Sequence, residues 1–453
     1  MGNDNSAEGQ SRLSQANPTP AATIEEAEVL RRGVRLGYFG RLPPFTPRQQ
    51  KVFWLVTTAG FFNNYDGALL GLALKQIKNA LRIPNASIGS MLSIVTLGQL
   101  PALLITPLAD RYGRRTLLLY TVIAYTVFTA LTALTWNAPS FVAMRFLAVM
   151  FSAAEGSVAL VILVEEVDAG VRGWAVGMLA ALSSVGYGVA ALVFAAINVI
   201  PFGWRGLYAL ALIPLAIIIP LRRALPETRR FENTAHSVDR KTILGAFKAL
   251  VVQHPGRFWL IASVTFLAPL GAASAGAFTS LYLQEAHNWT PANVSAMYFM
   301  GGGLGILGNI FAGRVSDRFG RRRMGAMFMF TAPLFAMVFF HSSGPILIAA
   351  WIFQLFADTA SSTIANAYSA ELFPTSYRST AASALNAANT LGRALGLLLE
   401  SWLYRLTGSH WTAISCLLLF WMIPGALMLL FFPETAGQEL EAISPEAAVA
   451  AGN

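Results

Sequence analysis

Charge and cysteine are scarce in this 453-residue chain. Asp, Glu, Lys and Arg make up only 12% of it, against roughly a quarter in soluble domains, which excludes an ordinary water-facing surface around one core. The single cysteine, Cys416, rules out an intramolecular disulfide. None of the five histidines is placed mid-span, so nothing supports a histidine proton relay. The glycine run Gly301-Gly302-Gly303 is followed by no Gly-Lys-Ser/Thr, so it reads as a close helix contact and not as a phosphate loop. No nucleophile–base constellation, metal cluster or nucleotide loop is present, and no polar segment is large enough for a catalytic domain. An enzyme, a bound cofactor and a nucleic-acid partner are therefore not expected.

Long apolar runs are abundant. Hydrophobic residues are 55% and the mean hydropathy is +0.54. Runs of about twenty residues span a bilayer as helix, and twelve are read near 52–74, 88–109, 116–136, 140–164, 173–199, 206–222, 257–283, 293–313, 324–341, 345–370, 380–403 and 411–432. The expected class is an all-α membrane protein with two six-helix bundles, 51–222 and 257–433. A tail (1–50, its residues 24–36 a short amphipathic surface helix), a central loop (223–256) and a C-terminal tail (434–453) complete it. About fifty polar residues precede the first run, so no cleavable signal is expected. With the N-terminus inside, 25 of the 32 Lys/Arg fall on the cytoplasmic side, 5 outside and 2 within spans. That bias predicts both termini cytoplasmic, and the lipid bilayer accounts for the basic balance.

One phrase is written twice. Leu108-Ala-Asp-Arg-Tyr-Gly-Arg-Arg115 returns as Val315-Ser-Asp-Arg-Phe-Gly-Arg-Arg322, Asp317 standing 207 residues after Asp110. Glu165 with Arg172 returns as Glu371 with Arg378, and Pro226-Glu-Thr228 as Pro433-Glu-Thr435. A constant step in three places describes duplicated halves, as secondary transporters are built.

The repeated phrase resembles the signature loop of the major facilitator superfamily, although Thr106 stands where that family usually has Gly. Asn64-Tyr-Asp-Gly67, Arg145-Phe with Glu165 and Arg172-Gly173, Glu371-Leu-Phe-Pro-Thr-Ser-Tyr-Arg378 and Pro433-Glu-Thr-Ala-Gly-Gln-Glu-Leu-Glu441 are similar to markers of its sugar-porter branch. Within that branch, Ala153-Ala-Glu-Gly156 and Gly392-Arg393 resemble metabolite:proton symporters for carboxylates and aromatic acids. The glutamine-rich sugar signatures of spans five and seven are missing. The resemblance implies a monomeric carrier of the cell (inner) membrane that moves a small organic anion with protons by alternating access. A sugar, polyol or other neutral-solute porter, a uniporter, or a transporter-like metabolite sensor stays open.

An ionised side chain at mid-bilayer costs at least ~3 kcal/mol, so intramembrane charges usually pair and serve function. Five stand out: Asp66, Arg145, Glu155, Asp358 and Arg393. At ~1.5 Å per residue, Asp66 and Arg145 reach the same outer-half depth and are read as a coupled pair. Glu155 is the third proton-coupling candidate. Arg393 and Asp358 lie mid-span, where Arg393 suits a substrate carboxylate. Asn63, Tyr65, Tyr187 and Asn389 join them as substrate-binding candidates. The resemblance makes Asp110, Arg111, Arg114, Glu165 and Arg172, with Asp317, Arg318, Arg321, Glu371 and Arg378, gate residues that form inter-helix salt bridges at the cytoplasmic ends.

Overall fold

A computed structural model describes residues 45–210, 212, 243–253, 255–374, 377–436 and 438, and no strand occurs among them. The long helices are α1 (Pro47–Leu72), α2 (Asn85–Leu108), α3 (Arg114–Thr132), α4 (Ala138–Glu166), α5 (Ala169–Ala195) and the start of α6 (Trp204–Ala209). In the second half they are α7 (Pro255–Ala286), α8 (Pro291–Phe319), α9 (Arg321–His341), α10 (Gly344–Glu371), α11 (Arg378–Thr407) and α12 (His410–Phe431). Each expected span meets one of these. For the sixth, everything beyond 212 lies outside the described residues, as do the expected surface helix at 24–36, most of the central loop and the tail after 438.

Among the described residues, eight helices are long and apolar enough to cross a membrane: α2 to α5, α7, α9, α10 and α12. Helices α1 and α11 fall short because polar side chains interrupt them. These include Asn63, Asn64 and Asp66 in α1, and Asn386, Asn389 and Arg393 in α11. Both helices carry candidate site residues, Asp66 on α1 and Arg393 on α11.

The sequence repeat is also a structural repeat. Gly113 (φ 90) and Gly320 (φ 96) break the two signature loops with the same positive-φ turn, a conformation that costs any residue with a Cβ. A Cβ on Gly186 would lie 2.0 Å from the Phe61 carbonyl, and one on Gly392 would lie 2.1 Å from the Phe266 carbonyl. The bare backbone thus lets α5 sit on α1 and α11 on α7 in corresponding ways.

At the turn end, where the repeated loops lie, Arg114 pairs with Glu165 and Arg321 pairs with Glu371. These are equivalent contacts in the two halves. Arg321 also reaches Asp317 at 3.1 Å. Glu434 accepts from the backbone N–H groups of Arg321 (2.7 Å) and Arg322 (3.3 Å), capping the N-terminus of α9 with a negative charge. Glu371→Gln is expected to cost about 1.5–3 kcal/mol, the range for a hydrogen bond to a charged group. Thermal melting in detergent checks it, and an unchanged melting temperature would show the pair to be dispensable in this conformation.

Candidate functional site

Polar residues of α1 and α4 meet in two places. The Arg145 guanidinium donates from Nη1 to both carboxylate oxygens of Asp66, at 2.8 and 3.0 Å, with side-chain exposures of 1% and 6%. The Arg145 Cζ also lies 5.0 Å from the centre of the Tyr208 ring, a cation–π contact that helps to offset lost hydration. One turn along α1, Asn63 donates to Glu155 Oε2 at 2.9 Å and to the Ser152 carbonyl at 3.1 Å. The Ser152 hydroxyl donates back to Asn63 Oδ1 at 2.8 Å. Tyr65 does not share this seam. It is buried, and its hydroxyl donates to the Leu207 carbonyl at 3.3 Å. Successive helical residues turn by about 100°, so Tyr65 faces α6 and packs there instead of lining a substrate site.

A cavity of about 360 Å³ lies in the second half, walled by α7, α9, α10, α11 and α12. On α10, Asp358, Ser361, Ser362, Ala365, Asn366 and Ser369 line it, and on α11 Ala382, Leu385, Asn386, Asn389 and Arg393 do. Both sets recur every three to four residues, the period of one helix face. Pro269 in α7 has no N–H for the carbonyl of Thr265, and both residues line the same wall. Arg393 is exposed to this cavity and Asp358 is half-buried. The cavity runs from mid-span toward Ser369 and Ala382, near the turn end.

The opposite, far end is shut. There the Ser280 hydroxyl donates to the Leu72 carbonyl (2.7 Å), Lys75 donates to the Gln284 carbonyl (2.8 Å), and Gln76 donates to Gln284 Oε1 (2.7 Å). Lys78 pairs with Glu285. Between α2 and α11, the Ser90 N–H donates to Ser401 (2.8 Å) and the Ser93 hydroxyl to the Ala394 carbonyl (2.7 Å). Between α5 and α8, Tyr187 stacks on Tyr298 with ring centres 6.1 Å apart. Tyr187 therefore belongs to the seam between the halves and is not among the residues lining the cavity.

The gate residues divide. The pairs Arg114–Glu165 and Arg321–Glu371 each join helices within one half, so in this conformation they brace the halves separately. Arg172 and Arg318 are exposed, Arg318 lying over the Phe319 ring at 5.4 Å. Arg378 donates from Nε to the Phe373 carbonyl at 3.2 Å. The side chains of Asp110 and Arg111 lie outside the described residues.

One buried pair escaped the sequence reading. Glu400 on α11 is fully buried and meets His410 Nδ1, at the start of α12, at 2.6 Å. The signal was present, because Glu400 is an acid inside an expected span. It sits three residues from that span's expected end, where an acid normally reaches water. The helix instead runs on to Thr407, which keeps Glu400 inside the bundle.

Two pseudo-symmetric helical halves, joined at one end and hollow toward the other, define a multi-pass membrane carrier. The chain belongs to the major facilitator superfamily, whose family model matches residues 56–332 and 261–450. It is a transporter and not an enzyme. It is 25% identical over 390 residues to the 4-hydroxybenzoate transporter of Pseudomonas aeruginosa, covering 78% of this chain and 86% of that one. It is 27% identical to the cis,cis-muconate transport protein of Acinetobacter baylyi (73% and 82% covered) and 23% identical to a sialic acid transporter of Escherichia coli (73% and 82%). Among solved structures, an inward-facing, unoccupied bacterial homologue of the lysosomal transporter Spinster superposes with a TM-score of 0.70. It has 16% identity, with 85% of this chain and 97% of that one covered. A D-xylose-proton symporter gives 0.69 at 18% identity (86% and 99%). At those identities the likeness is one of fold.

Proposed function

We propose that this transporter moves a small organic anion, a carboxylate of aromatic or comparable size, by proton symport through alternating access. Arg393 carries the reading: a permanently charged guanidinium is open to the cavity at mid-span, with Asn386 and Asn389 on the same helix face. A planar guanidinium grips a carboxylate through two parallel charge-assisted hydrogen bonds, stronger than those it can make to neutral sugar hydroxyls. The named substrates of the three relatives are all carboxylic acids. Asp358, in the same cavity, balances the Arg393 charge when no substrate is present. The Asp66–Arg145 pair supports coupling, since protonating Asp66 removes the charge that holds Arg145.

Residues 51–222 and 257–433 are the rocking units, joined by 223–256, with 1–50 and 434–453 as cytoplasmic tails in a bacterial inner membrane. The unit is a monomer and needs no cofactor. The closed far end and the hollow turn end correspond to an inward-facing state. The repeated turns act as the inner gate when the halves rock the other way.

The test is substrate-induced proton entry into proteoliposomes carrying an internal pH dye, with pooled carboxylates against pooled sugars. Carboxylates are expected to drive proton entry, and Arg393→Ala is expected to lose it, by tenfold or more if a bidentate contact of ~1.5–3 kcal/mol is removed. A response to sugars alone would replace this reading with the neutral-solute one. Carboxylate transport without proton movement would replace it with uniport.

A further inference from the structure

We propose that Lys75 is an outer reception site for the transported anion. With the far end open, its ammonium takes the incoming carboxylate before Arg393 does, and closure of the far end withdraws it. The inference rests on the organic-anion reading, with the far end as the outer mouth, and extends that reading to the entry route.

The far end is cationic. Its connections, 73–87, 133–137, 196–203, 287–290, 342–343 and 408–409, hold Lys75, Lys78 and Arg82 but no Asp or Glu. Arg205 in the first turn of α6 and Arg405 in the last turn of α11 add to them. Glu285, at the end of α7, is held by Lys78, and Glu400 is buried on His410. The topology rule disfavours Lys and Arg outside and is nearly indifferent to Asp and Glu. Membrane insertion therefore explains neither these cations nor the missing acids. A mouth lined by one sign of charge draws in the opposite sign.

A short helix, Leu74–Ala80, continues α1 and carries Lys75 half-buried against α7. The Lys75 ammonium donates to the Gln284 carbonyl at 2.8 Å and meets no carboxylate among the described residues. Lys78 differs, because Glu285 and Asn85 Oδ1 (3.1 Å) hold it. A part-buried cation without a countercharge keeps its attraction for an anion. The contacts that shut the far end set Leu72, Lys75 and Gln76 of one half against Ser280 and Gln284 of the other. When the halves part, those surfaces become the walls of the cleft. On α7, Pro269 and Ala272 of the cavity wall and Ser280 and Gln284 of the seam share an arc of about 120°, at ~100° per residue. The opened seam thus continues the cavity outward, and Lys75, level with Gln284, stands roughly 18 Å beyond Ala272.

Reception and closure exclude each other. A contact of 2.8 Å between Lys75 and the Gln284 carbonyl leaves no room for an anion. An anion on Lys75 must pass inward or leave before the far end shuts, so the gate closes behind the substrate and never on it. The ammonium offers a single point charge, whereas Arg393 offers a planar fork for a carboxylate. Transfer from the first to the second is downhill.

The test is the concentration dependence of labelled 4-hydroxybenzoate uptake into right-side-out membrane vesicles. Lys75→Gln keeps a donor for the Gln284 carbonyl and removes the charge. At low salt it is expected to raise KM about three- to fivefold, the worth of one exposed charge contact, with the loss falling on KM more than on kcat. Lys75→Arg should restore the wild-type KM, and the ratio of Lys75→Gln to wild type should shrink toward one as salt is raised. Glu285→Gln, which removes the acid from the same cleft, should lower KM. Two seam variants moving KM in opposite directions is a result that weakened closure alone does not give. An unchanged KM in Lys75→Gln, or a rise that salt does not screen, overturns the reception site. So does a raised KM in Glu285→Gln, which serves alone if Lys75→Gln does not assemble. If the wild type carries neither 4-hydroxybenzoate nor any pooled carboxylate, the organic-anion reading fails and the reception site with it.

Discussion

Asp66→Asn is expected to abolish accumulation of substrate against its gradient while leaving exchange across the membrane. Accumulation requires a group that is neutral on one leg of the cycle and charged on the other. Asp66 is placed for this, because among the described residues its carboxylate alone forms an ion pair with the buried Arg145. Asparagine keeps an oxygen that can accept one of the two guanidinium bonds, so the seam still closes. It cannot lose a proton, and the charge that would pull Arg145 back after proton release is gone. Removing one partner of a buried pair costs about 3–5 kcal/mol at worst, and the retained amide bond reduces that. Counterflow and net uptake in the same proteoliposomes separate the two effects. The variant should exchange labelled substrate within a few-fold of wild type but reach only equal concentrations on both sides. Continued accumulation would remove Asp66 from the coupling mechanism, and loss of exchange as well would show the pair to be needed for closure itself.

The legible parts of this fold were those fixed by composition or by spacing along one chain. Apolar runs located the spans, and the repeated phrase located two turns that share a positive-φ glycine. Depth along a straight helix brought Asp66 and Arg145 to one level, which is a one-dimensional quantity. What could not be read depends on rotation about a helix axis and on which conformation is populated. Tyr65 adjoins Asp66 in sequence, yet it points at α6. Tyr187 lies against Tyr298 because the halves are closed at that end. Arg114, Glu165, Arg321 and Glu371 are legible as members of one gate cluster, but sequence does not say which partners meet or that the pairs brace single halves in this state. Glu400 was missed for want of one helical turn. A boundary set a few residues short turned a buried acid with a histidine partner into an ordinary helix end.

Gly89→Val is expected to shift the resting protein from the inward-facing to the outward-facing state. A Cβ on Gly89 would stand 2.3 Å from the Leu397 carbonyl oxygen, 2.4 Å from Glu400 Oε2 and 2.9 Å from the Ser401 hydroxyl. The first of these is backbone of a helix packed in the other half, and Glu400 is held by His410, so neither can rotate aside. The clash exists only while α2 leans on α11 at the far end. Once the halves part there, valine faces open space and costs little. Overpacking of about 1–3 kcal/mol falling on one state alone changes the ratio of the two by roughly five- to 150-fold. Spin labels at Phe202→Cys and Leu406→Cys, in a Cys416→Ser background, mark the far end of each half at exposed positions. The distance between them should lengthen in Gly89→Val without substrate, and uptake should slow because return to the inward-facing state is penalised. An unchanged distance with normal transport would mean that α11 yields locally, and that the far-end seam between α2 and α11 does not set the balance between the two states.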